Sequence, residues 1–446
     1  MARADTQQIL DSLIRGAKAA GADAADALLV ESVAASVSYR LGKLEDVERA
    51  ESHDLGLRVF IGQKVAFVSS TDFSKDSLAQ LPGRAVAMAK LAPEDEYAGL
   101  APRDRLAKSI PDLDIEDKAE PPAETLVEWA RAGEAAAMGV KGVTNSEGGG
   151  ASFGRTAIAL ATSDGFHGGY AGTSCGVGVS VIAGEGTAME RDYDHASARH
   201  TADLTKPDEI GRSAGERAVK RLNPRKVKSQ AVPIVYDPRV SGGLVGHFVG
   251  AISGSAIARG VSFLKESMGK PVFAPAINII DDPHRRRGLR SKPFDGEGVA
   301  NKRWALIENG VLRTWLLESA SARQLGLQTT GHAARGTGGP PGPAPTNLYM
   351  EAGTPTPQEL MADIRQGFYV TELIGMGVNG VTGDYSRGAA GFWIENGEIA
   401  FAVSEITIAG NLKDMFLNLT AANDLEFKHG TNAPTLRIEG MTVAGA

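Results

Sequence analysis

The sequence has a single cysteine, Cys175, in 446 residues. No intrachain disulfide can form, which fits a reducing compartment and sets the expectation of a cytoplasmic protein. No stretch reaches the ~18 consecutive apolar residues that a membrane-crossing helix needs. The segment Thr6 to Ala20 is amphipathic, not uniformly apolar, so it does not read as a signal peptide. Cations are outnumbered, 47 Lys and Arg against 54 Asp and Glu, for a net charge of −7. Broad nucleic-acid binding needs clustered Lys and Arg. His284-Arg285-Arg286-Arg287 is the one such cluster, and it reads as a solvated loop or a partner contact. Catalytic motifs are missing too. A helical zinc peptidase needs a Glu beside its first His ligand to activate the metal-bound water, and no His-Glu dipeptide occurs anywhere. There is no Gly-x-Ser-x-Gly elbow, no phosphate-binding P-loop and no EF-hand loop. Cys175 sits in a Gly-rich strand pattern and reads as a small buried residue.

Glycine is what the chain has in excess: 54 of 446 residues, about 12% against a usual ~7%. The glycines lie between apolar runs, so they predict turns and close-packed strands. The expected fold class is α+β, in two domains. Residues 1–225 read as antiparallel sheets with packed helices. A helix over Thr6 to Ala20 ends at Gly21. A meander of about five short strands follows between Ala27 and Ser69. Ser74 to Leu91 and Ala123 to Met138 are helical, with a Pro-rich surface connection between them. A second strand series runs from Val140 to Tyr193, and Thr205 to Arg221 is a helix. The polar, basic segment Asn223 to Ser229 marks the domain boundary. Residues 229–446 read as a β-rich, barrel-like domain with a Gly-rich helix at its start. Asp237-Pro238 opens that helix, which is expected over Arg239 to Ala258. Each of its glycines at 242, 243, 246, 250 and 254 lowers helix propensity by up to about 1 kcal/mol, so the helix is expected to pack tightly against another backbone. Gly336 to Asn347 has too much Pro and Gly for anything but a loop.

The most informative stretch is Gly367 to Phe416. Val370 to Ile374 is a short apolar run. Gly388 to Gly391 has almost no side chains. Phe392-Trp393-Ile394, then Glu395-Asn396-Gly397, then Ile399 to Val403 spell strand, turn, strand. The blocks SRGAAGFWIENGEI (386–399) and SEITIAGNLKDM (404–415) resemble the C-terminal signature of the TldD/PmbA family, and specifically its PmbA (TldE) branch. MERDY (189–193), GHFVGAISG (246–254), PFDGEGV (293–299), SARQLGL (321–327) and TGHA (330–333) extend the resemblance over most of the chain. The family also carries the label of modulator of DNA gyrase.

The resemblance implies a cytoplasmic zinc metalloprotease assembly of two related subunits, one of which holds the metal. In the metal-bearing subunits a His-Glu-x-x-x-His helix falls where this chain reads Leu244 to Gly250. Val245 then takes the first ligand position, Gly246 that of the glutamate and Gly250 that of the second ligand. The family's third ligand is a C-terminal cysteine, and Leu412 to Ala446 contains none. The resemblance therefore implies no metal ligand and no catalytic residue in this chain, with zinc in a TldD-type partner. Unfolded peptides are the implied substrates, including bacteriocin precursors, and a homodimer is plausible when the chain is alone.

Four residues are candidates for lining a peptide. His247 is either a substrate contact or a packing residue on the Gly-rich helix. His332, beside the Pro-rich loop, either lines peptide or stabilises the loop. Asp384-Tyr385-Ser386-Arg387 is a polar island between Gly-rich strands, and Asp384 and Arg387 are its candidates. Arg387 is suited to hold a substrate carboxylate bidentately, or to pair structurally with Asp384 or Glu405. His195 and His200 share the five-residue offset of the metal motif but read as a surface pair in a loop. Two other functions compete with the non-catalytic subunit: a regulatory protein acting on a topoisomerase without proteolysis, and a self-sufficient peptidase.

Overall fold

A computed structural model describes residues 4–445. Helix α1 (Ala4–Ala19) buries Leu10, Leu13, Ile14 and Ala17 against a sheet. Strands β1 (Ala24–Arg40) and β2 (Lys43–Ile61) form one long hairpin. Its turn, Leu41-Gly42, has φ of 49° and 77°, the positive values that a two-residue hairpin turn requires. The four short strands expected before Gly62 are therefore two long ones. The outer half of β2 is solvent-facing and rich in Glu, so no alternation of apolar and polar residues marks it, and the outer half of β1 is mostly Ser and Ala with only Val37 buried. Strand β3 (Lys64–Ser70) adds an edge, and α2 (Lys75–Leu91), capped by Ser74, packs with α1.

Helix α3 (Ala123–Met138) precedes β4 (Val143–Thr162), β5 (His167–Ala183) and β6 (Glu190–Ala198), and α4 (Pro207–Lys220) follows them. Strand β4 pairs with β1 from Asp26↔Thr162 to Tyr39↔Gly149. The second strand series thus continues the first sheet, in the order β3-β2-β1-β4-β5-β6. All four helices cover one face, reached by the odd-numbered residues of β1 and β4 such as Ala27, Leu29, Val37, Phe153 and Ala159. On the other face Leu28 and Leu160 meet Phe294 from the second domain. Asp26 and Arg58 on the same face also meet the second domain, and farther along the face is open, with Ala34, Ser36, Ser152, Thr156 and Ser174 exposed on it.

The second domain starts with β7 (Gln230–Tyr236), α5 (Pro238–Ala251) and α6 (Gly254–Ala258). Short strands β8 (Ile279–Asp281), β9 (Trp304–Glu308) and β10 (Val311–Leu312) lead to α7 (Ser319–Gln324). The Pro-rich loop is clasped by a minimal pair, β11 (Ala333–Ala334) with β12 (Gly342–Pro343). After β13 (Leu348–Met350) comes α8 (Pro357–Met361), entered through a Thr356/Glu359 capping box. Strands β14 (Gln366–Ile374), β15 (Asp384–Glu395) and β16 (Glu398–Asn411) follow. The chain ends with α9 (Leu412–Leu417), β17 (Leu419–Ala421), β18 (Thr431–Asn432) and β19 (Leu436–Ala444).

The order β16-β15-β14-β7-β19 closes on itself, because β16 also pairs with β19 from Thr407↔Ala444 to Ala409↔Thr442. This is the expected barrel, with five strands. Tyr236, Phe368, Trp393, Ile408 and Ile438 fill it and share one core with the buried face of α5. Burying each such side chain contributes about 1.5–3 kcal/mol.

The Gly-rich helix differs from expectation in two ways. It breaks at Ile252-Ser253, where the Gly254 N–H turns to the Leu316 carbonyl at 2.8 Å. Close backbone packing holds only near its ends. A Cβ at Gly254 would lie 2.8 Å from Leu316 O, and one at Gly242 3.3 Å from Thr431 O. Gly243, Gly246 and Gly250 face open space.

Arginines fasten the two domains. Asp26 of β1 and Arg58 of β2 pair in the interior, and Arg335 from the Pro-rich loop reaches the same carboxylate at 2.7 Å. The cluster His284 to Arg287 is a clasp, not a free loop. Arg286 and Arg287 pair with Asp114, Arg287 also with Asp203, and Arg285 stacks on Phe427.

Candidate functional site

The site is built on α5. Asp237 caps it by accepting the Arg239 N–H at 2.9 Å, and the Tyr369 hydroxyl donates to the same carboxylate at 2.9 Å. Pro238 supplies a pre-set first turn. Arg239 then ties the helix to Asp192 of β6 at 2.8 Å. Leu244, Val245, Phe248 and Ala251 are buried. Gly243, Gly246 and Gly250 form the exposed face, with half-buried His247 between them.

Val245 is fully buried, pointing into the barrel core. Gly250 lies on the opposite, exposed side of the helix. Gly246 and Gly250 have no side chain to offer. Among the described residues no three His, Cys, Asp or Glu side chains are grouped to hold a metal. The zinc implied for this family does not fit these residues.

What α5 does present is one imidazole beside a free guanidinium. The His247 ring meets the edge of Tyr385 at 6.0 Å between centroids. Burial, reinforced by the nearby Arg387 charge, holds the His247 pKa below its ordinary value, so the ring is neutral at pH 7. Arg387 donates from Nε to Ile374 O at 3.3 Å and forms no ion pair among the described residues. Asp384 is committed elsewhere, accepting from Thr382 Oγ1 at 2.6 Å and Asn411 Nδ2 at 3.0 Å. Glu405 pairs with Lys226. Neither expected structural partner of Arg387 therefore holds it. The Tyr385 hydroxyl lies buried beside that of Tyr236. Ile374, Met376 and Val381 expose apolar side chains on the hairpin leading into this cluster, at 60%, 89% and 56%.

The structure thus brings His247 and Arg387 together and leaves His332 apart. His332 is buried, with Nδ1 2.8 Å from Thr330 Oγ1 and Nε2 3.2 Å from Asp281. Asp281 in turn accepts the Thr346 N–H and hydroxyl, each at 2.6 Å. That network closes the Pro-rich loop and presents no surface to a peptide. Asp384 is exposed but ties the start of β15 to Asn411. His195 lies on β6, not in a loop, and packs near His429, while His200 holds the Asp114 carbonyl at 2.8 Å. The Cys175 thiol is buried and pushed up to about 11 by that burial, so it is inert. Sequence reasoning missed Tyr385, which sits inside the polar island but carries no charge to draw notice. It also missed the Asp26–Arg58–Arg335 group, whose members are far apart in the chain.

A sheet joined to a closed five-stranded barrel, with a Gly-rich helix built into the barrel core, defines a class of chain, and comparison with known proteins gives that class. The PmbA/TldA metallopeptidase domain 1 matches residues 25–89, the central domain 116–222 and the C-terminal domain 229–445. The first two fall on the one six-stranded sheet. The metalloprotease PmbA of Escherichia coli O157:H7 is 39% identical over 95% of this chain and 92% of its own length. A PmbA homologue of Haemophilus influenzae is 36% identical over 99% and 96%. A crystal structure from Bacteroides thetaiotaomicron, proposed as a modulator of DNA gyrase, superposes with a TM-score of 0.92 at 27% identity, covering both chains completely. TldE from Thermococcus kodakarensis shares the fold, with a TM-score of 0.88 at 20% identity over 98% of this chain and 100% of its own. The chain belongs to the PmbA/TldD metallopeptidase family.

Proposed function

We propose that this chain is the non-catalytic subunit of a two-subunit zinc metalloprotease that trims peptides, paired with a homologous metal-bearing subunit. The observation that carries this reading is α5 itself, whose metal positions are a core valine and two glycines on an open face. Such a helix leaves room for a substrate and brings no base to activate water. The open face of the large sheet, lined by small neutral residues, suits a chamber wall. Arg387 suits the terminal carboxylate of a peptide, and the apolar hairpin beside it suits extended chain.

The first test is metal content after extensive dialysis. Zinc well below one per chain is expected, with peptide hydrolysis appearing only when a metal-bearing homologue is added. Zinc near one per chain, or hydrolysis by the isolated chain, would overturn the reading. A second test addresses Arg387. A charge-assisted hydrogen bond is worth about 1.5–3 kcal/mol, so Arg387→Gln should raise KM of the two-subunit assembly roughly 10- to 100-fold with little change in kcat. Peptides amidated at the C-terminus should show no such difference between the two forms. An equal loss on amidated peptides would remove Arg387 from carboxylate recognition.

A further inference from the structure

On the open face of the first domain's sheet, where the second domain's loop abuts it, lies a cleft of about 330 Å³. Its floor comes from β1, β4 and β5, with Ser32, Thr156 and Ser174 offering hydroxyls and Gly154 and Gly172 offering nothing. Arg199, Arg290 and Lys292 stand around it, and no carboxylate lines it.

Among the described residues none of the three cations forms an ion pair. Arg199 directs its guanidinium at neutral acceptors: the Thr173 carbonyl at 2.9 Å, the Gly288 carbonyl at 3.1 Å and that of Leu289. Lys292 donates to the Ala333 carbonyl at 3.1 Å and is half-buried. Its acidic neighbours, Asp295 and Asp281, are engaged with backbone N–H groups and with His332. Arg290 is exposed, and its side chain has no hydrogen-bond partner among the described residues. The acidic residues around Ile115 at the rim are also committed, Asp114 to Arg286 and Arg287, Glu116 to Arg155 at 2.8 Å and Asp117 to Thr201 at 2.9 and 3.0 Å.

Three cations around one cleft repel one another, and the low-dielectric walls sharpen their field. The arrangement favours an anion brought in from solution. The volume falls at the small end of the range for ligand pockets, ~300–1,000 Å³, so the occupant is a small molecule. We propose that this cleft binds a small multiply charged anion, a phosphate ester or a di- or tricarboxylate. Arg290 and Lys292 take its charged oxygens, and the floor hydroxyls of Ser32 and Thr156 donate to it. The floor belongs to one domain and two of the cations to the other, so the ligand stabilises their junction. This site is independent of the peptide reading at α5.

The test is calorimetric titration of the full chain at low ionic strength with inorganic phosphate, citrate and a short Glu-rich peptide, with chloride matched for ionic strength. Phosphate or citrate should bind near one per chain and raise Tm. Whichever binds more tightly identifies the source of the anion. Arg290→Ala should weaken that binding about tenfold or more while leaving the unliganded Tm unchanged. Gly154→Val should abolish it by filling the floor, since a Cβ there lies 3.6 Å from its nearest neighbours and the strand accepts it. A response matched by chloride, binding of the peptide alone, or full affinity in both variants would overturn the proposal.

Discussion

Replacing Asp26 with Ala is expected to remove about 3–5 kcal/mol of unfolding free energy. Asp26 and Arg58 are 1% and 4% exposed. Arg58 Nε donates to Asp26 Oδ2 at 2.9 Å, and Arg335 donates to Oδ1 at 2.7 Å. Glu297 also pairs with Arg58, at 3.8 Å, but makes no hydrogen bond to it. Asp26 is therefore the hydrogen-bonded carboxylate of two buried guanidinium groups, and truncating it leaves Arg335 without an ion pair among the described residues and Arg58 with the longer Glu297 contact alone. The loss should be read by urea unfolding, with Arg49→Ala as a control, since its partners Glu51 and Glu120 are exposed and no measurable change is expected there. The pH dependence has a defined sign. Burial opposes ionisation of Asp26, but Arg335 and Arg58 outweigh it and hold the carboxyl below its ordinary value. Its contribution is complete above the ordinary carboxylate range and is lost as pH falls through the lowered value. Asp295 acts oppositely, because burial and then the Glu297 charge push its pKa up to about 7. Its contribution declines as pH rises from the carboxylate range to about 7, and Asp295→Asn should flatten that part of the profile. A wild-type Asp26→Ala difference near zero at pH 7 would mean that water reaches the junction.

Elements with a periodic apolar face or a strong cap were legible in the sequence. Helix α3 begins and ends where its spacing predicts, and the Asn396-Gly397 hairpin has φ of 51° and 85°. The long strands were not, because most of β2 has no buried face to impose alternation and the outer half of β1 buries only Val37. The barrel was legible as apolar runs broken by glycine, whereas its closure through β16 and β19 joins segments that no local pattern links. At the site, the chemistry that α5 lacks was readable from Val245, Gly246 and Gly250. That these glycines floor an open face was not, since a sequence cannot tell a glycine kept for close packing from one kept for space. The freedom of Arg387 was equally hidden. It depends on Asp384 turning to Thr382 and Asn411, and on Glu405 turning to Lys226.

Gly391→Ala should cost about 3 kcal/mol, the upper range for forcing an extra atom into a packed interior. Gly388→Ala, three residues earlier in the same run, should stay within about 0.5 kcal/mol. At Gly388 the nearest atom to an added Cβ is Ile374 Cβ, at an ordinary 3.4 Å. At Gly391 the added atom would overlap the Tyr369 carbonyl oxygen and lie 3.0 Å from both the Tyr369 carbonyl carbon and Val370 Cα. All three are backbone atoms of β14, so relief requires β14 and β15 to separate. The position is also where register shifts on both sides, between Val370 and Glu372 of β14 and between Ala389 and Gly391 of β15. Such bulges supply the bending by which a few strands close into a barrel. The damage should travel to the site, because the Tyr369 hydroxyl holds the Asp237 cap of α5. Urea midpoints of the two variants, with near-ultraviolet circular dichroism reporting on Trp393, separate the outcomes. A large loss at Gly391 alone ties the small-residue run to barrel closure and to the seating of α5. Equal, mild effects at both positions would detach the run from the barrel and leave contact with a ligand or partner as its reason.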